Sequence, residues 1–179
     1  MKGGAEVDTY ELTQIMQEHG DYLVKLSYIY VKNWSMAEEI VQDVFVKFYE
    51  THGQYEQRAT LKTYLAKMTI NKSYDYLRSV KGRMKMLRQM WNTAELSRPS
   101  VEQETLIMLT KNQIANEVFK LPLKYREAVV LYYYDEMTSR EIAELLVVSE
   151  NTIKTRLRRA RELLKPKLID FQSEVTVDD

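Results

Sequence analysis

Cysteine is absent from these 179 residues. Its absence excludes disulfide bonds and metal sites built from thiolates. Histidine is also scarce, because only His19 and His52 occur and neither stands in a recognisable catalytic pattern. There is no glycine-rich phosphate-binding loop. We therefore predict a protein that is not an enzyme and that needs no cofactor and no metal ion.

Long apolar segments are missing as well. The longest apolar run, Ala128 to Tyr134, is far too short to span a bilayer. The acidic start of the chain, Met1 to Asp21, lacks the apolar core of a signal peptide. The sequence thus predicts a soluble cytoplasmic protein that does not insert into a membrane.

Charge is balanced overall but unevenly distributed. The formal net charge is zero, yet residues 72–98 carry seven basic side chains against two acidic ones. Residues 154–167 carry seven basic side chains against Glu162 alone. Two basic segments in a neutral chain indicate two separate contacts with phosphate, each modest by itself. Such a protein is expected to hold DNA poorly alone.

Glycine and proline are few, with five and three residues, and apolar residues recur every three or four positions. This pattern predicts an all-α protein with two small helical domains joined by a linker. The domains are expected over residues 1–81 and 101–179, with the linker over 82–100 and some helix around 86–91. Helices are predicted over residues 9–32, with a break near Gly20 left open, and over 35–51, 60–80, 100–120 and 123–135.

The C-terminal domain contains a predicted helix-turn-helix at residues 138–159. Thr138 and Glu141 have the spacing of a capping box, and Ser149 can cap a second helix after a turn of about three residues. The inward face of the first helix is predicted to hold Ile142, Ala143 and Leu146. A solvated basic helix in a bundle is the simpler alternative, but the capped helix and the short turn favour DNA binding.

The second helix of this motif has distinct apolar and basic sides. Four apolar residues recur at spacings of four, three and four positions, and they are predicted to form one buried stripe: Ile153, Leu157, Ala160 and Leu164. Four polar residues would point away from it, toward a major groove: Lys154, Thr155, Arg158 and Arg159.

A second informative segment begins at Ser35, which with Glu38 has the spacing of another capping box. The helix would bury Ala37, Ile40, Val41, Val44, Phe45 and Phe48. Its opposite side carries Glu38, Glu39, Gln42 and Asp43 around Val46. This side suits a protein partner with basic residues, and a merely solvated face is equally compatible. A metal or acid/base site is disfavoured because no histidine is near in the pattern.

A third segment, Tyr64 to Arg78, mixes aromatic, amide and basic side chains. Aromatic rings can stack on unpaired bases while Lys and Arg bind phosphates, which suits single-stranded or distorted DNA. The alternative is that Tyr64, Tyr74 and Tyr76 pack in the core. Tyr132, Tyr133 and Tyr134 are assigned to packing.

Together the three segments resemble the extracytoplasmic-function (ECF) group of bacterial RNA polymerase sigma factors in the sigma-70 family. Met36 to Phe45 is similar to the family's polymerase-binding helix, and Asn71 to Arg78 to its Asn-x-x-x-Asp-x-Leu-Arg segment. Leu121 to Arg161 is similar to its C-terminal domain. Val147 stands where the family often has glycine, and a β-branched residue disfavours positive φ. We therefore expect a different backbone geometry in this turn.

The resemblance implies a sigma factor that binds core RNA polymerase and directs sequence-specific promoter recognition and transcription initiation. The residues implied to bind polymerase are Glu38, Glu39, Gln42 and Asp43. The residues implied to recognise the opened minus-ten element are Asn71, Lys72, Asp75 and Arg78, with the loop from Tyr55 to Thr60. The residues implied to bind the minus-thirty-five element are Lys154, Thr155, Arg156, Arg158 and Arg159. Of these, Arg159 or Arg156 would contact phosphate. An anti-sigma factor is implied as a further partner.

A conventional helix-turn-helix transcription regulator is the main alternative. It would share the C-terminal domain and use its N-terminal half to dimerise or to sense a ligand. The segments from Glu38 to Phe45 and from Asn71 to Arg78 argue against it.

Overall fold

Two compact units make up the chain, Met1–Val101 and Glu102–Asp179. The computed structural model describes the backbone of residues 9–51, 60–91 and 113–175 and the side chains of 10–51, 60–84 and 114–167. Every regular element in these ranges is a helix, and none of those helices has the length and hydropathy to cross a membrane. Residues 55–59 of the predicted loop and residues 100–112 of the predicted helix over 100–120 lie outside the described residues.

Three helices form the first unit: α1 (Thr9–Val31), α2 (Trp34–Thr51) and α3 (Leu61–Trp91). Each packs against the other two. All six residues of the predicted apolar side of α2 are buried, as the periodicity indicated. Four of them, Val41, Val44, Phe45 and Phe48, share one core with Leu23 of α1 and Leu65 of α3, which are fully buried. Burial of side chains of this size contributes about 1.5–3 kcal/mol each, so this core holds the unit together.

Small hydroxyl side chains lie where α1 meets α3. The Ser27 and Ser73 hydroxyls are 3.1 Å apart and both residues are fully buried. Ser73 also donates to the Thr69 carbonyl, and the Thr69 hydroxyl donates to the Leu65 carbonyl. These buried hydroxyls therefore have hydrogen-bond partners, which buried polar groups require.

Both glycines within the helices are accommodated without a break. α1 is continuous through Gly20, and α3 continues through Gly82 to Trp91. The predicted end of α3 near Gly82 is therefore wrong, and residues 82–91 of the predicted linker are helical. An isolated exposed glycine costs a helix only about 1 kcal/mol. The flanking Lys81, Arg83 and Met84 are good helix formers, and they outweigh that cost.

Asn33, rather than Ser35, caps the start of α2. The Met36 N–H donates to the Asn33 side-chain oxygen at 2.8 Å, and the Ala37 N–H donates to the Asn33 carbonyl. The predicted capping box of Ser35 and Glu38 is thus incorrect. Asn is as good an N-cap as Ser and needs no acidic residue three positions later, so the sequence offered two competing caps.

Four helices form the described part of the second unit: α4 (Gln113–Lys120), α5 (Leu123–Tyr133), α6 (Ser139–Leu146) and α7 (Glu150–Val175). α5 begins at Leu123, as predicted, and Pro122 immediately precedes it. The core contains Leu131 of α5, Ile142 of α6 and Ile153 of α7, all fully buried. Arg126 is buried too, and its Nη1 donates to the Phe119 carbonyl at 2.7 Å, which ties α5 to the end of α4.

Two of the three consecutive tyrosines at the end of α5 are solvent exposed. Tyr133 and Tyr134 are exposed by 58% and 66%, whereas Tyr132 is half-buried. The Arg161 Nε donates to the Tyr133 hydroxyl at 2.9 Å. Assigning all three to packing was wrong, because successive helical residues point about 100° apart and cannot share one buried face.

Candidate nucleic-acid and polymerase interfaces

The helix-turn-helix begins with a complete capping box at α6. The Glu141 N–H donates to the Thr138 hydroxyl, and the Glu141 carboxylate accepts from the Thr138 backbone and hydroxyl. The hydrogen bonds from the side chain and then the backbone of Thr138 lower the pKa of Glu141. Ile142 and Ala143 are buried as predicted, but Leu145 is the third buried residue and Leu146 is only half-buried.

A three-residue turn, 147–149, joins α6 to α7. Val147 adopts left-handed backbone geometry, with φ 56° and ψ 51°. This conformation lets the Val148 N–H donate to the Ala143 carbonyl at 3.0 Å, which is the long-range hydrogen bond of a Schellman motif. The expectation that valine would impose another geometry is incorrect. The Ser149 hydroxyl accepts from the Thr152 N–H and caps α7, as predicted.

The recognition helix α7 separates its buried and polar sides. Ile153, Leu157 and Ala160 are buried, and Leu164 is half-buried. The four residues predicted to face a major groove are all exposed: Lys154, Thr155, Arg158 and Arg159. A row of polar side chains opposite a packed stripe is the arrangement in which a helix can enter the major groove.

Each of the three cations among these four residues is paired with an acid on the same helix. The Lys154 Nζ lies 2.7 Å from a Glu150 oxygen. Glu162 accepts from both Arg158, at 3.0 Å, and Arg159, at 2.8 Å. All of these side chains are largely exposed, so each pair contributes little to stability and can be exchanged for a phosphate.

Arg156 is placed differently from the other predicted DNA residues. Its side chain is only 20% exposed, and its Nη1 donates to the Glu127 carboxylate of α5 at 2.8 Å. Glu127 is 1% exposed. The predicted phosphate contact of Arg156 stays a prediction, while its guanidinium already has a buried partner.

The predicted polymerase-binding residues form one exposed patch on α2. Glu38, Glu39, Gln42 and Asp43 are all exposed. Val46 lies beside them with 60% exposure, as the sequence indicated, and Tyr49 extends the same face with 49% exposure. Tyr49 was missed, although its position three residues after Val46 was a readable signal.

The predicted minus-ten residues of α3 adjoin this patch. Asn71, Lys72, Asp75 and Arg78 are exposed. The Lys72 Nζ contacts the Asp43 carboxylate of α2 at 2.9 Å. Arg78 and Asp75 are paired at 2.9 Å along α3. The structure therefore brings the two predicted surfaces together at the Lys72–Asp43 contact.

The tyrosines of the third segment are partly packed. Tyr64 is half-buried with its ring 6.3 Å from that of Phe48, and Tyr74 is half-buried with its ring 5.3 Å from that of Tyr30. Tyr76 is half-buried as well. These placements favour packing for Tyr64 and Tyr74.

Known proteins match both halves of this arrangement. The family model of sigma-70 region 2 matches residues 15–83, and that of sigma-70 region 4 matches residues 112–164. The ECF sigma factor SigW of Bacillus subtilis (strain 168) is 29% identical over 172 residues, covering 92% of each chain. SigV of the same organism is 26% identical, covering 88% of this chain and 90% of its own. The chain belongs to the ECF group of the sigma-70 family.

Solved structures of sigma factors share the fold. The sigma factor RpoE of Bartonella quintana, in complex with the anti-sigma factor NepR, has a TM-score of 0.66 at 20% identity and covers 96% of this chain and 100% of its own. CnrH, in complex with the cytosolic domain of CnrY, has a TM-score of 0.65 at 21% identity and covers 93% of each chain. These likenesses confirm the all-helical fold with its helix-turn-helix.

As an ECF sigma factor, the chain binds core RNA polymerase and directs promoter recognition and transcription initiation. Sigma factors are regulatory initiation factors, and promoter DNA is their second partner. The prediction of function is thereby confirmed. The conventional helix-turn-helix regulator is not favoured, because the region 2 match covers the half that such a regulator would use for dimerisation or sensing.

Proposed function

We propose that this sigma factor uses three surfaces in initiation, of which α7 contacts the minus-thirty-five element in the major groove. One observation carries this assignment: Lys154, Thr155, Arg158 and Arg159 are exposed on one side of a capped helix whose other side is buried. Lys154, Thr155 and Arg158 contact base edges, and Arg159 contacts phosphate.

The exposed patch of α2 is the polymerase-binding surface in this proposal. Glu38, Glu39, Gln42 and Asp43 bind the clamp helices of the large polymerase subunit. Val46 supports this role, because an exposed apolar side chain surrounded by carboxylates fits a partner surface with an apolar centre and a basic rim.

The exposed polar residues of α3 recognise the opened minus-ten element. Asn71, Lys72, Asp75 and Arg78 act with the loop from Tyr55 to Thr60, of which Thr60 is described and caps α3 through the Thr63 N–H. Unpairing and extruding a base costs a few kcal/mol, so a surface that holds the extruded base makes melting depend on sequence. The Lys72–Asp43 contact supports this proposal, since it joins the candidate minus-ten surface of α3 to the candidate polymerase surface of α2.

The remaining assignments follow from these surfaces. The protein carries out no covalent chemistry of its own and works in the cytoplasm, where polymerase and DNA are found. Residues 1–81 and 101–179 act as the two functional domains. An anti-sigma factor restrains the protein, and the anti-sigma complexes of the structural relatives support this partner.

Runoff transcription with purified core polymerase on fragmented genomic DNA tests the proposal. Adding the full-length protein is expected to produce discrete new start sites, each with a shared upstream and downstream element. Core polymerase alone is the control. Transcription no greater than with core alone contradicts the proposal. Tight binding of a dimer to a palindrome without polymerase would instead favour the conventional regulator.

A further inference from the structure

A partly buried ion pair joins α5 to the recognition helix. Glu127, in α5, is 1% exposed, and the Arg156 Nη1 of α7 lies 2.8 Å from its carboxylate oxygen. The two residues are 29 positions apart, whereas the other ion pairs of α7 lie within that helix. A buried carboxylate is costly unless it is paired and hydrogen-bonded, so this contact is a fixed feature of the second unit.

Arg156 occupies the border between the buried and exposed sides of α7. It follows Ile153 by three residues and precedes Ala160 by four, so it shares their face of the helix. It also lies between Lys154–Thr155 and Arg158–Arg159 in the sequence. Rotation of α7 about its axis would therefore move the four exposed side chains together with Arg156.

An apolar stripe alone does not fix that rotation. Contacts of Ile153, Leu157 and Ala160 are non-directional and tolerate small rotations of the helix. A charge-assisted hydrogen bond is directional, and the best-attested use of buried polar pairs is to fix register. We propose that Glu127 and Arg156 are positioning residues that set the rotation of α7 against α5, and thereby which base edges the exposed side chains contact.

This inference rests on the proposed contact of α7 with the minus-thirty-five element. A purely stabilising ion pair would affect folding alone, whereas a pair that positions α7 also affects sequence preference. Loss of Arg156 alone removes the cation beside the buried Glu127 carboxylate, so a single variant is expected to destabilise the unit. Replacement of both by apolar residues of similar volume often retains stability. The double variant Glu127→Leu/Arg156→Met therefore separates folding from sequence preference.

The test uses holoenzyme reconstituted from core polymerase and full-length protein. Linear templates carry one fixed downstream element from a start site found by runoff and a randomised upstream element, and the templates retained by holoenzyme are sequenced. The wild-type protein is expected to enrich one upstream sequence. The double variant should melt at a temperature close to wild type, yet lose roughly tenfold of its preference at one or more base pairs, the equivalent of one base contact.

Two further proteins complete the comparison. Arg156→Lys keeps a cation beside Glu127 but lacks the planar guanidinium fork, so the fold is retained and a smaller loss of preference is expected. Arg140→Met/Glu144→Leu removes an exposed ion pair of the same residue types within α6, at 3.2 Å, and is the matched control. Its upstream preference should equal that of the wild type.

The outcomes distinguish this inference from the proposed function. Wild-type preference in a folded double variant overturns the positioning role and leaves the function of α7 intact. If the double variant does not fold, unchanged preference in Arg156→Lys overturns it equally. A wild-type holoenzyme with no upstream preference contradicts the proposed function of α7 and the inference with it.

Discussion

Val147 carries a backbone conformation that its side chain disfavours. Left-handed geometry costs an L-residue about 1–2 kcal/mol, and β-branching adds to the conflict. The residue is 78% exposed, so its side chain gains little from packing. The hydrogen bond from Val148 to Ala143, which this geometry allows, offsets part of the cost.

Val147→Gly is therefore expected to stabilise the second unit. Relief of the left-handed strain exceeds the extra chain entropy of glycine, about 0.5–1 kcal/mol, and leaves a net gain of about 0.5–1 kcal/mol. Thermal unfolding should show a rise of a few degrees. Val148→Gly, the same change at a half-buried neighbour with ordinary φ, should lower the melting temperature. A lower melting temperature for Val147→Gly would show that the turn is not strained.

Lys154 and Arg158 allow base contacts to be told from phosphate contacts. Replacing either by Ala should cost about 1–3 kcal/mol at particular base pairs if it contacts a base edge. Holoenzyme binding to templates changed one base pair at a time measures this effect. A loss that is uniform across all templates would reassign the residue to phosphate. Arg140→Ala, on α6 outside the recognition helix, is the control.

At the scale of the helix, α2 was the most predictable element. Its six apolar residues repeat every three or four positions, and all are buried. Its start was not predictable, because Asn33 and Ser35 are both residue types that favour the N-cap position. The end of α3 was predicted too early, because one exposed glycine, Gly82, is not enough to end a long helix.

Charge reversal on α2 should weaken polymerase binding without unfolding the protein. Glu39 and Asp43 are four residues apart on the exposed face. Glu39→Lys/Asp43→Lys should lower the affinity for core polymerase at least tenfold, as like charges across an interface cost several kcal/mol. A pull-down with core polymerase measures this, and circular dichroism checks the fold. Glu18→Lys in α1, an exposed acid outside the patch, should bind normally. Unchanged affinity in the double variant would remove α2 as the docking surface.

At the scale of the whole molecule, the zero net charge conceals local pairing. Lys154, Arg158 and Arg159 are each engaged by Glu150 or Glu162. In the proposed contact of α7 with DNA, phosphates replace these acids, so the free energy gained from each phosphate contact is reduced by the loss of an ion pair. The chain alone is therefore expected to bind DNA weakly, as the sequence indicated.

Glu162→Gln should raise the affinity of the full-length protein for non-specific duplex DNA. Release of two arginines, each pair contributing about 0.2–1 kcal/mol, amounts to about 0.4–2 kcal/mol, or roughly two- to thirtyfold tighter binding at low salt. Fluorescence anisotropy across a salt series measures it, and the gain should shrink as salt rises. Glu18→Gln changes the net charge equally and should have no effect. Equal affinities of the wild type and Glu162→Gln would show that the pairs do not limit DNA binding.

Local patterns in the sequence predicted the helices, the helix-turn-helix and the exposed candidate residues, because each depends on residues three or four positions apart. Contacts between distant positions were out of reach. Nothing in the sequence near Arg156 indicates that Glu127 accepts its hydrogen bond, and nothing near Lys72 indicates Asp43. Three-dimensional packing creates these pairs, so periodicity within one helix could not identify either partner.

Packed and exposed positions are separate on α7, so the residues that we propose to contact DNA can be replaced independently of the core. Residues 154, 155, 158 and 159 can be randomised together without changing a buried side chain of the helix. A library limited to these four positions, with Arg156 held constant, is thus the natural starting point for directing this polymerase subunit to promoters of new sequence.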